Sequence, residues 1–253
     1  MAGVSHRRAQ EPAEATTVAG LDEAVTGCRA CDRLVAWREQ VARDKRAAFV
    51  DQEYWGRPVP GFGPADAALV IVGLAPAAHG ANRTGRMFTG DRSGDVLYAA
   101  LHEVGLASQA LSTHPGDGLV LYGTRITAPV HCAPPDNKPT PAERDTCQPW
   151  LERELALLAP NLRAVVALGG FGWQSVMRVL AATGWQVPKP RPRFGHGAHA
   201  VVTPRDGHAH PRAGEVRVFG SFHVSQQNTF TGRLTPAMLR DVLSDAARAA
   251  SLR

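Results

Sequence analysis

Four cysteines are the residues of this chain whose type and spacing point most directly to chemistry. Two residues separate Cys28 from Cys31, whereas 14 separate Cys132 from Cys147. The first 20 residues lack the apolar core of a signal peptide, so we expect reduced thiols rather than a disulfide framework. The spacing favours a four-thiolate iron–sulfur cluster. Structural zinc, which usually shows two close pairs, and unrelated buried thiols remain alternatives.

Three further side chains could take part in catalysis. Phe88 could stack on a planar ring, and Asp91 could position or deprotonate a water molecule. His223 could donate a hydrogen bond to a developing anion. Each also has a simpler interpretation, as a core aromatic, a carboxylate at a helix N-terminus and a histidine bonded to a backbone carbonyl.

The elements that must position these residues alternate between strand and helix. Apolar runs at 67–73, 125–130, 163–168 and 216–222 predict buried strands. Such alternation is typical of an α/β fold whose parallel sheet is covered on both faces. Ligands of these sheets bind beyond the carboxyl ends of the strands. Three of the four predicted ends carry the unusual residues, which favours an enzyme over a scaffold.

Helical patterns lie between and around the strands. The first covers residues 21–46 and the second 94–104, where leucines recur at helical spacing. A Thr-Pro-Ala-Glu capping box opens a third at 140–158, and two more cover 171–182 and 235–250. Residues 1–20 lack periodic apolar spacing and are predicted to be a disordered tail.

Composition excludes several classes of protein. The chain has 253 residues, 44% of them hydrophobic and 20% charged, which disfavours a disordered or fibrous protein. No run approaches the roughly 18 apolar residues that cross a bilayer, so we expect no membrane partner and a cytoplasmic location. The formal net charge of +5 is compatible with a polyanionic partner.

Four motifs occur in an order that matches a known family. They read CRACDRLVAWRE at 28–39, GLAPAAHGANRTGRMFTGD at 73–91, HCAPPDNKPT at 131–140 and HVSQQNTFTGRLT at 223–235. Together they resemble the uracil-DNA glycosylase superfamily, specifically its family 5 iron–sulfur enzymes. The resemblance covers about residues 21 to 250.

The resemblance implies a fold and a cofactor. The fold would be a three-layer α/β/α sandwich with a central four-stranded parallel sheet, formed by residues 21–253 as one domain. The cofactor would be a structural [4Fe–4S] cluster held by Cys28, Cys31, Cys132 and Cys147.

It also implies an activity on DNA. The enzyme would flip a uracil nucleotide out of the duplex and hydrolyse its N-glycosidic bond, leaving an abasic site that starts base excision repair. We expect a monomer that also accepts other deaminated or damaged bases such as hypoxanthine. By resemblance, His223 bonds the leaving base, Phe88 stacks on it, Asp91 orients the water and Asn137 assists from the rim.

Further residues carry binding roles by resemblance. Relatives have an acidic or amide side chain where this chain has Ala75, so Asp91 is expected to orient the water instead. Family 4 members have an asparagine where this chain has Ala128, so selectivity should be relaxed. The predicted substrate-binding residues are Gly73, Leu74, Ala75, Pro76, Ala77, Asn82, Phe88 and Ala128. The predicted DNA contacts are Arg83, Arg86, Lys138, Gln226, Gln227, Asn228 and Arg233.

A second interpretation assigns the same fold to a protein that has no catalytic turnover. A non-catalytic or covalently trapping iron–sulfur binder of nucleic acid would share most of these motifs. The known trapping relative carries an inserted basic loop with a histidine and a glutamine in its first motif. This chain has neither, which favours turnover.

Overall fold

A mixed six-stranded sheet lies at the centre of the computed structural model, which describes residues 11–206 and 214–252. Its spatial order is β2-β1-β3-β6-β5-β4. The strands are β1 (Leu69–Val72), β2 (Thr124–Thr127), β3 (Ala164–Leu168), β4 (Trp185–Gln186), β5 (His199–Pro204) and β6 (Val216–Ser221).

The four strands predicted from apolar runs form the parallel part of this sheet. β2, β1, β3 and β6 pair in parallel, and nearly every residue in them is buried. β5 and β4 extend the sheet in antiparallel pairing beyond β6. The prediction of an α/β fold is therefore confirmed, whereas the predicted count of four strands is too low.

Eight α-helices cover the sheet and its edges within the described residues. None of them is both long enough and apolar enough to cross a membrane. In chain order they are α1 (Val18–Thr26), α2 (Asp32–Asp44), α3 (Ala81–Thr84), α4 (Arg92–Glu103), α5 (Pro141–Leu158), α6 (Gly169–Ala182), α7 (Gln226–Phe230) and α8 (Pro236–Ala249).

Helices pack on both faces of the sheet and bury two apolar cores. On one face α4 and α8 insert Leu97 and Leu239 against sheet residues such as Ile71. On the other face α5 and α6 insert Leu155 and Val176 against the opposite side of the same strands. Alternate residues of β1 thus serve opposite cores, which gives the predicted three-layer sandwich.

The N-terminal region differs from the prediction in two ways. Residues 12–20 are not a disordered tail, because Ala15 is buried, Pro12–Glu14 form a helical turn and Val18 begins α1. Residues 1–10 of the predicted tail lie outside the described residues. The predicted helix 21–46 is two helices, since the chain leaves α1 at Gly27 and enters α2 only after Cys31.

Candidate active site and cysteine centre

Loops from three parallel strands meet at the carboxyl edge of the sheet. Gly73 follows β1, Gly169 follows β3 and His223 lies two residues beyond β6. A Cβ on Gly73 would come within 2.8 Å of the ring carbons of Phe88, and one on Gly169 would lie 3.3 Å from the His223 Cβ. The two glycines therefore let the aromatic rings pack closely on the strand ends.

Phe88 and His223 form an aromatic pair at this edge. Their ring centroids are 6.2 Å apart and the rings are tilted by 34°. Phe88 has a φ of 53°, a left-handed conformation that costs a bulky residue free energy and needs support from its surroundings. Tyr98 supplies part of it by donating a 2.8 Å hydrogen bond to the Met87 carbonyl. Because strained backbone of this kind clusters at functional sites, the observed φ supports a functional role for Phe88.

The imidazole of His223 is electrically neutral in this environment. Burial lowers its pKa from 6.5 to about 4, so the ring carries no charge near pH 7. A neutral imidazole keeps one N–H that can donate to a ligand oxygen. The Asn228 Nδ2 donates a 2.8 Å hydrogen bond to the His223 carbonyl and fixes the backbone beneath the ring.

Asp91 caps the N-terminus of α4, as its simpler interpretation predicts. Its Oδ1 accepts hydrogen bonds from the N–H groups of Ser93 (2.9 Å) and Gly94 (3.1 Å). Burial raises the pKa of this carboxyl, while those two N–H groups lower it. Oδ2 lies against Gly80 and accepts no hydrogen bond from the described residues. That second oxygen is free to bind water.

Arg86 is not available for DNA, because it lies in a buried ion-pair network. Its guanidinium donates to both carboxylate oxygens of Asp117, at 2.9 and 2.5 Å, and to Ser112 Oγ. Arg86 Nε also donates to Thr89 Oγ1 at 3.0 Å. The network fixes the turn that presents Phe88, so the predicted phosphate contact by Arg86 is wrong.

Arg83 and Asn82 also support the loop from within. Arg83 donates to the carbonyls of His79 and Gly90, both at 2.8 Å, so its guanidinium is committed to the loop. Asn82 is fully buried, and its Nδ2 donates to the Arg38 carbonyl at 3.3 Å. The roles predicted for them, a DNA contact and a substrate contact, do not fit these positions.

The remaining predicted substrate residues divide between the site and the core. Gly73 through Ala77 run along the carboxyl edge beside Phe88, with Leu74, Ala75 and Ala77 half-buried. Ala128 is buried in the core just beyond β2, so it presents no polar group to a ligand. Asn137 is exposed on the rim, where its backbone N–H donates to the Pro134 carbonyl at 3.3 Å.

The predicted DNA contacts on the last loop include exposed and supporting residues. Gln226 and Gln227 are exposed in the first turn of α7, and Lys138 is exposed on the 131–140 loop. Asn228 supports His223 instead, as described above. The Arg233 guanidinium stacks on the Phe222 ring, 4.6 Å from its centroid, with the rest of the side chain exposed.

All four cysteines line one small cavity at the side of the fold. Cys28 and Cys31 lie between α1 and α2, Cys132 follows β2 and Cys147 lies on α5. As placed, no three His, Cys, Asp or Glu side chains in the described ranges could hold a metal ion together. The cysteines nevertheless share a common apolar wall of leucine, valine and tryptophan side chains.

A buried arginine adds positive charge to this cysteine centre. Arg38 Nη1 donates a 2.8 Å hydrogen bond to Cys132 Sγ, and its Nη2 donates to the Cys28 carbonyl. Arg38 Nε is buried with no hydrogen-bond partner in the described structure. Burial raises the pKa of the Cys132 thiol to about 11 and raises that of Cys147 as well. A buried cation bonded to one of the four thiols is suited to a cluster with net negative charge.

Sequence reasoning missed Arg38 and Asp117, which position the two sites. A signal for Arg38 was present, because it continues the apolar stripe of Leu34 and Val41 on α2. A charged residue at such a position must find a buried partner. Asp117 had no comparable signal, since it lies 31 residues from Arg86 in a polar loop.

Comparisons with known proteins agree with this geometry. The model of the uracil DNA glycosylase superfamily matches residues 60–247. The chain is 56% identical over 238 residues to a type-5 uracil-DNA glycosylase of Mycobacterium bovis, covering 94% of this chain and 84% of that protein. It is 50% identical over 230 residues to one of Thermus thermophilus, covering 91% and 97%. A type-4 enzyme of Archaeoglobus fulgidus is 32% identical over 122 residues, 48% of this chain and 53% of that protein. The chain therefore belongs to the uracil DNA glycosylase superfamily.

Proposed function

We propose that this enzyme excises uracil from DNA by hydrolysing its N-glycosidic bond, which starts base excision repair. The observation that carries the proposal is the neutral His223 packed beside the Phe88 ring at the carboxyl edge of the sheet. The type-5 uracil-DNA glycosylases that share half or more of their aligned residues with this chain support the choice of base.

The reaction requires stabilisation of the departing base. As the glycosidic bond breaks, uracil leaves as an anion and the sugar becomes cationic. The flipped base stacks on Phe88, and the N–H of His223 donates to the uracil O2 as negative charge develops there. A neutral donor suits this role, because its proton stays on the ring throughout the step. Backbone groups of Leu74 to Ala77 line the sugar.

Asp91 holds the attacking water in this proposal. Its Oδ1 is occupied by the two N–H groups that cap α4, which fixes the carboxylate plane. The unoccupied Oδ2 can then accept a hydrogen bond from water and stabilise the cationic sugar at the same time. Asn137, exposed on the rim, is proposed to compensate for the base-reading amide that is missing at Ala128.

The cysteine centre is proposed to hold a [4Fe–4S] cluster. Four thiolates and a buried guanidinium suit a cluster of net charge −2, which is larger than a single ion and needs a wider set of sulfurs. Cys28, Cys31, Cys132 and Cys147 would hold the group, which would tie the α1–α2 connection to the loop after β2 and to α5. Iron and sulfide in the purified protein, with visible absorbance lost in Cys147→Ser, would support it; a stoichiometric zinc content would refute it.

We propose that the partner is duplex DNA and that the enzyme acts on chromosomal DNA in the cytoplasm. The bacterial origin of the Mycobacterium and Thermus relatives supports this proposal. Gln226 and Gln227 enter the groove, with Lys138 and Arg233 near phosphates. Ala128 offers no amide to read the base edge, which supports a wider range including hypoxanthine. The monomeric state and the single domain of residues 21–253 stay predictions.

The test is base release from a duplex oligonucleotide that holds one uracil. Wild-type protein should release free uracil and leave an alkali-labile abasic site in a single turnover. His223→Ala should slow this by about 100- to 1,000-fold, the cost of losing one donor to a developing anion. A protein–DNA adduct that survives denaturation, with no free uracil, would instead support the covalently trapping alternative. Full activity in His223→Ala would refute the assigned role.

A further inference from the structure

One exposed and strongly basic segment of the structure belongs to none of the four motifs. Residues 189–196 read KPRPRFGH, and we call this segment the basic arm. Lys189, Arg191 and Arg193 are its cations, and all three are exposed. None of them has an acidic partner within ion-pair distance among the residues that the structure describes. The arm itself contains no acidic residue.

The backbone of the basic arm is held firmly although its cations are exposed. Trp173 Nε1 donates a 3.0 Å hydrogen bond to the Pro192 carbonyl, and the Phe194 ring packs 6.2 Å from the Trp173 ring. Past the arginines, the His196 ring lies 5.2 Å from the Phe222 ring, and its Nδ1 accepts a hydrogen bond from the Phe222 N–H. Along the chain, the residues that make these contacts alternate with the exposed cations.

The arm lies at the same edge of the sheet as the active site. β5 begins directly after it and runs antiparallel to β6, with His199 opposite Phe219 near the carboxyl end of β6. The arm therefore meets the sheet where β6 delivers His223 to the site. Phe222, the residue before His223, carries the arm's His196 ring and also the Arg233 guanidinium.

We propose that the basic arm binds the DNA backbone beside the flipped nucleotide. This inference rests on the proposed function, because it needs DNA at the His223 edge. Firm backbone support means that little loop ordering has to accompany binding, which strengthens each contact. Exposed, unpaired guanidiniums match phosphate oxygens in charge and geometry. The arm would thus position the duplex without reading its sequence.

The test is the salt dependence of DNA binding by Arg191→Ala/Arg193→Ala. The probe is a duplex with a stable abasic-site analogue, which the enzyme cannot process. If each arginine neutralises one phosphate, the slope of log affinity against log salt should become shallower by about 1.8. Arg191→Lys/Arg193→Lys should keep most of the wild-type slope, because it keeps the charge.

The matched control is Arg163→Ala/Arg205→Ala. Both of these arginines are exposed, and both lie at the opposite edge, beside the start of β3 and after the end of β5. Their loss should leave the slope unchanged. If the arm variant has the same salt slope as this control while wild-type protein still releases uracil, DNA binding by the basic arm is refuted and the proposed function remains intact. Wild-type protein that releases no uracil would overturn the proposed function first.

Discussion

An alanine in place of Gly80 should impair the site through the carboxylate of Asp91. Its Cβ would lie 2.0 Å from Asp91 Oδ2 and 2.8 Å from Cγ, distances that non-bonded atoms do not tolerate. The carboxylate must then rotate or withdraw, which disturbs the bonds from Ser93 and Gly94 that cap α4. Loss of such a cap costs about 1 kcal/mol of unfolding free energy. Removal of Oδ2 from the water should slow catalysis by about 100-fold or more.

A double-mutant cycle separates the effect on the Asp91 carboxylate from any other effect of the extra methyl group. Gly80→Ala, Asp91→Ala and the double variant are each assayed for single-turnover uracil release and for unfolding by urea. Because both changes act on the same carboxylate, the double variant should be no slower than Asp91→Ala alone. Gly116→Ala is the matched control, since its Cβ would make only ordinary contact, 3.6 Å from the His114 ring.

An equal slowing by Gly80→Ala in the presence and in the absence of Asp91 would contradict an effect through the carboxylate. Strict additivity would mean that the methyl group acts on the backbone or on substrate access and not on the carboxylate. A wild-type rate in Asp91→Ala would refute the water-holding role itself, and Asp91 would then serve only as the cap of α4.

Two further predictions concern charges around the site. Asp117→Asn should lower the unfolding free energy in urea by about 3 to 5 kcal/mol, because it leaves the buried Arg86 guanidinium without its carboxylate; a loss below 1 kcal/mol would contradict the network. Folding lowers the pKa of His223 from 6.5 to about 4. As the pH drops from 6.5 toward 4, protons therefore bind this histidine in the unfolded chain before they bind it in the folded protein, and the folded state loses stability. Urea unfolding across that pH range should therefore show a smaller loss of stability in His223→Gln than in the wild-type protein. An equal loss in the two proteins would contradict the lowered pKa of His223.

Sequence patterns predicted the parallel strands because those strands are buried on both faces. Continuous apolar runs such as that of β1 have few other interpretations. β5 was missed because it alternates exposed and buried residues at the margin of the sheet, beginning with the exposed His199. β4 has only two residues, Trp185 and Gln186, which is too short for any periodicity to show. Tertiary pairing, of β5 with β6 and of β4 with β5, makes these segments strands, rather than local sequence.

The sequence predicted which side chains come together where the residue type itself suggests the chemistry. It failed where the role of a side chain depends on its hydrogen-bond or ion-pair partner. Cys28 and Cys132 line one cavity as their chemistry suggests, and Phe88 meets His223. Arg86 was predicted to contact a phosphate because it is a basic residue in a motif that follows β1. Its real partner, Asp117, comes from a loop whose path depends on the whole fold, and no local pattern signals that pairing.

Arg38 joins the cysteine centre to the loop of residues 73–91, the proposed catalytic loop. This contact would give the proposed cluster a supporting role in an enzyme whose hydrolysis needs no redox step. Arg38 contacts Cys132 through its guanidinium, while its carbonyl accepts a hydrogen bond from the fully buried Asn82 of the catalytic loop. Ala75 of the same loop packs against the apolar wall that surrounds the cysteines. Fixing the sulfurs in place therefore also fixes the loop that carries Phe88 and Asp91. The loop has little secondary structure of its own, with only the four residues of α3, so it depends on such outside support for its shape.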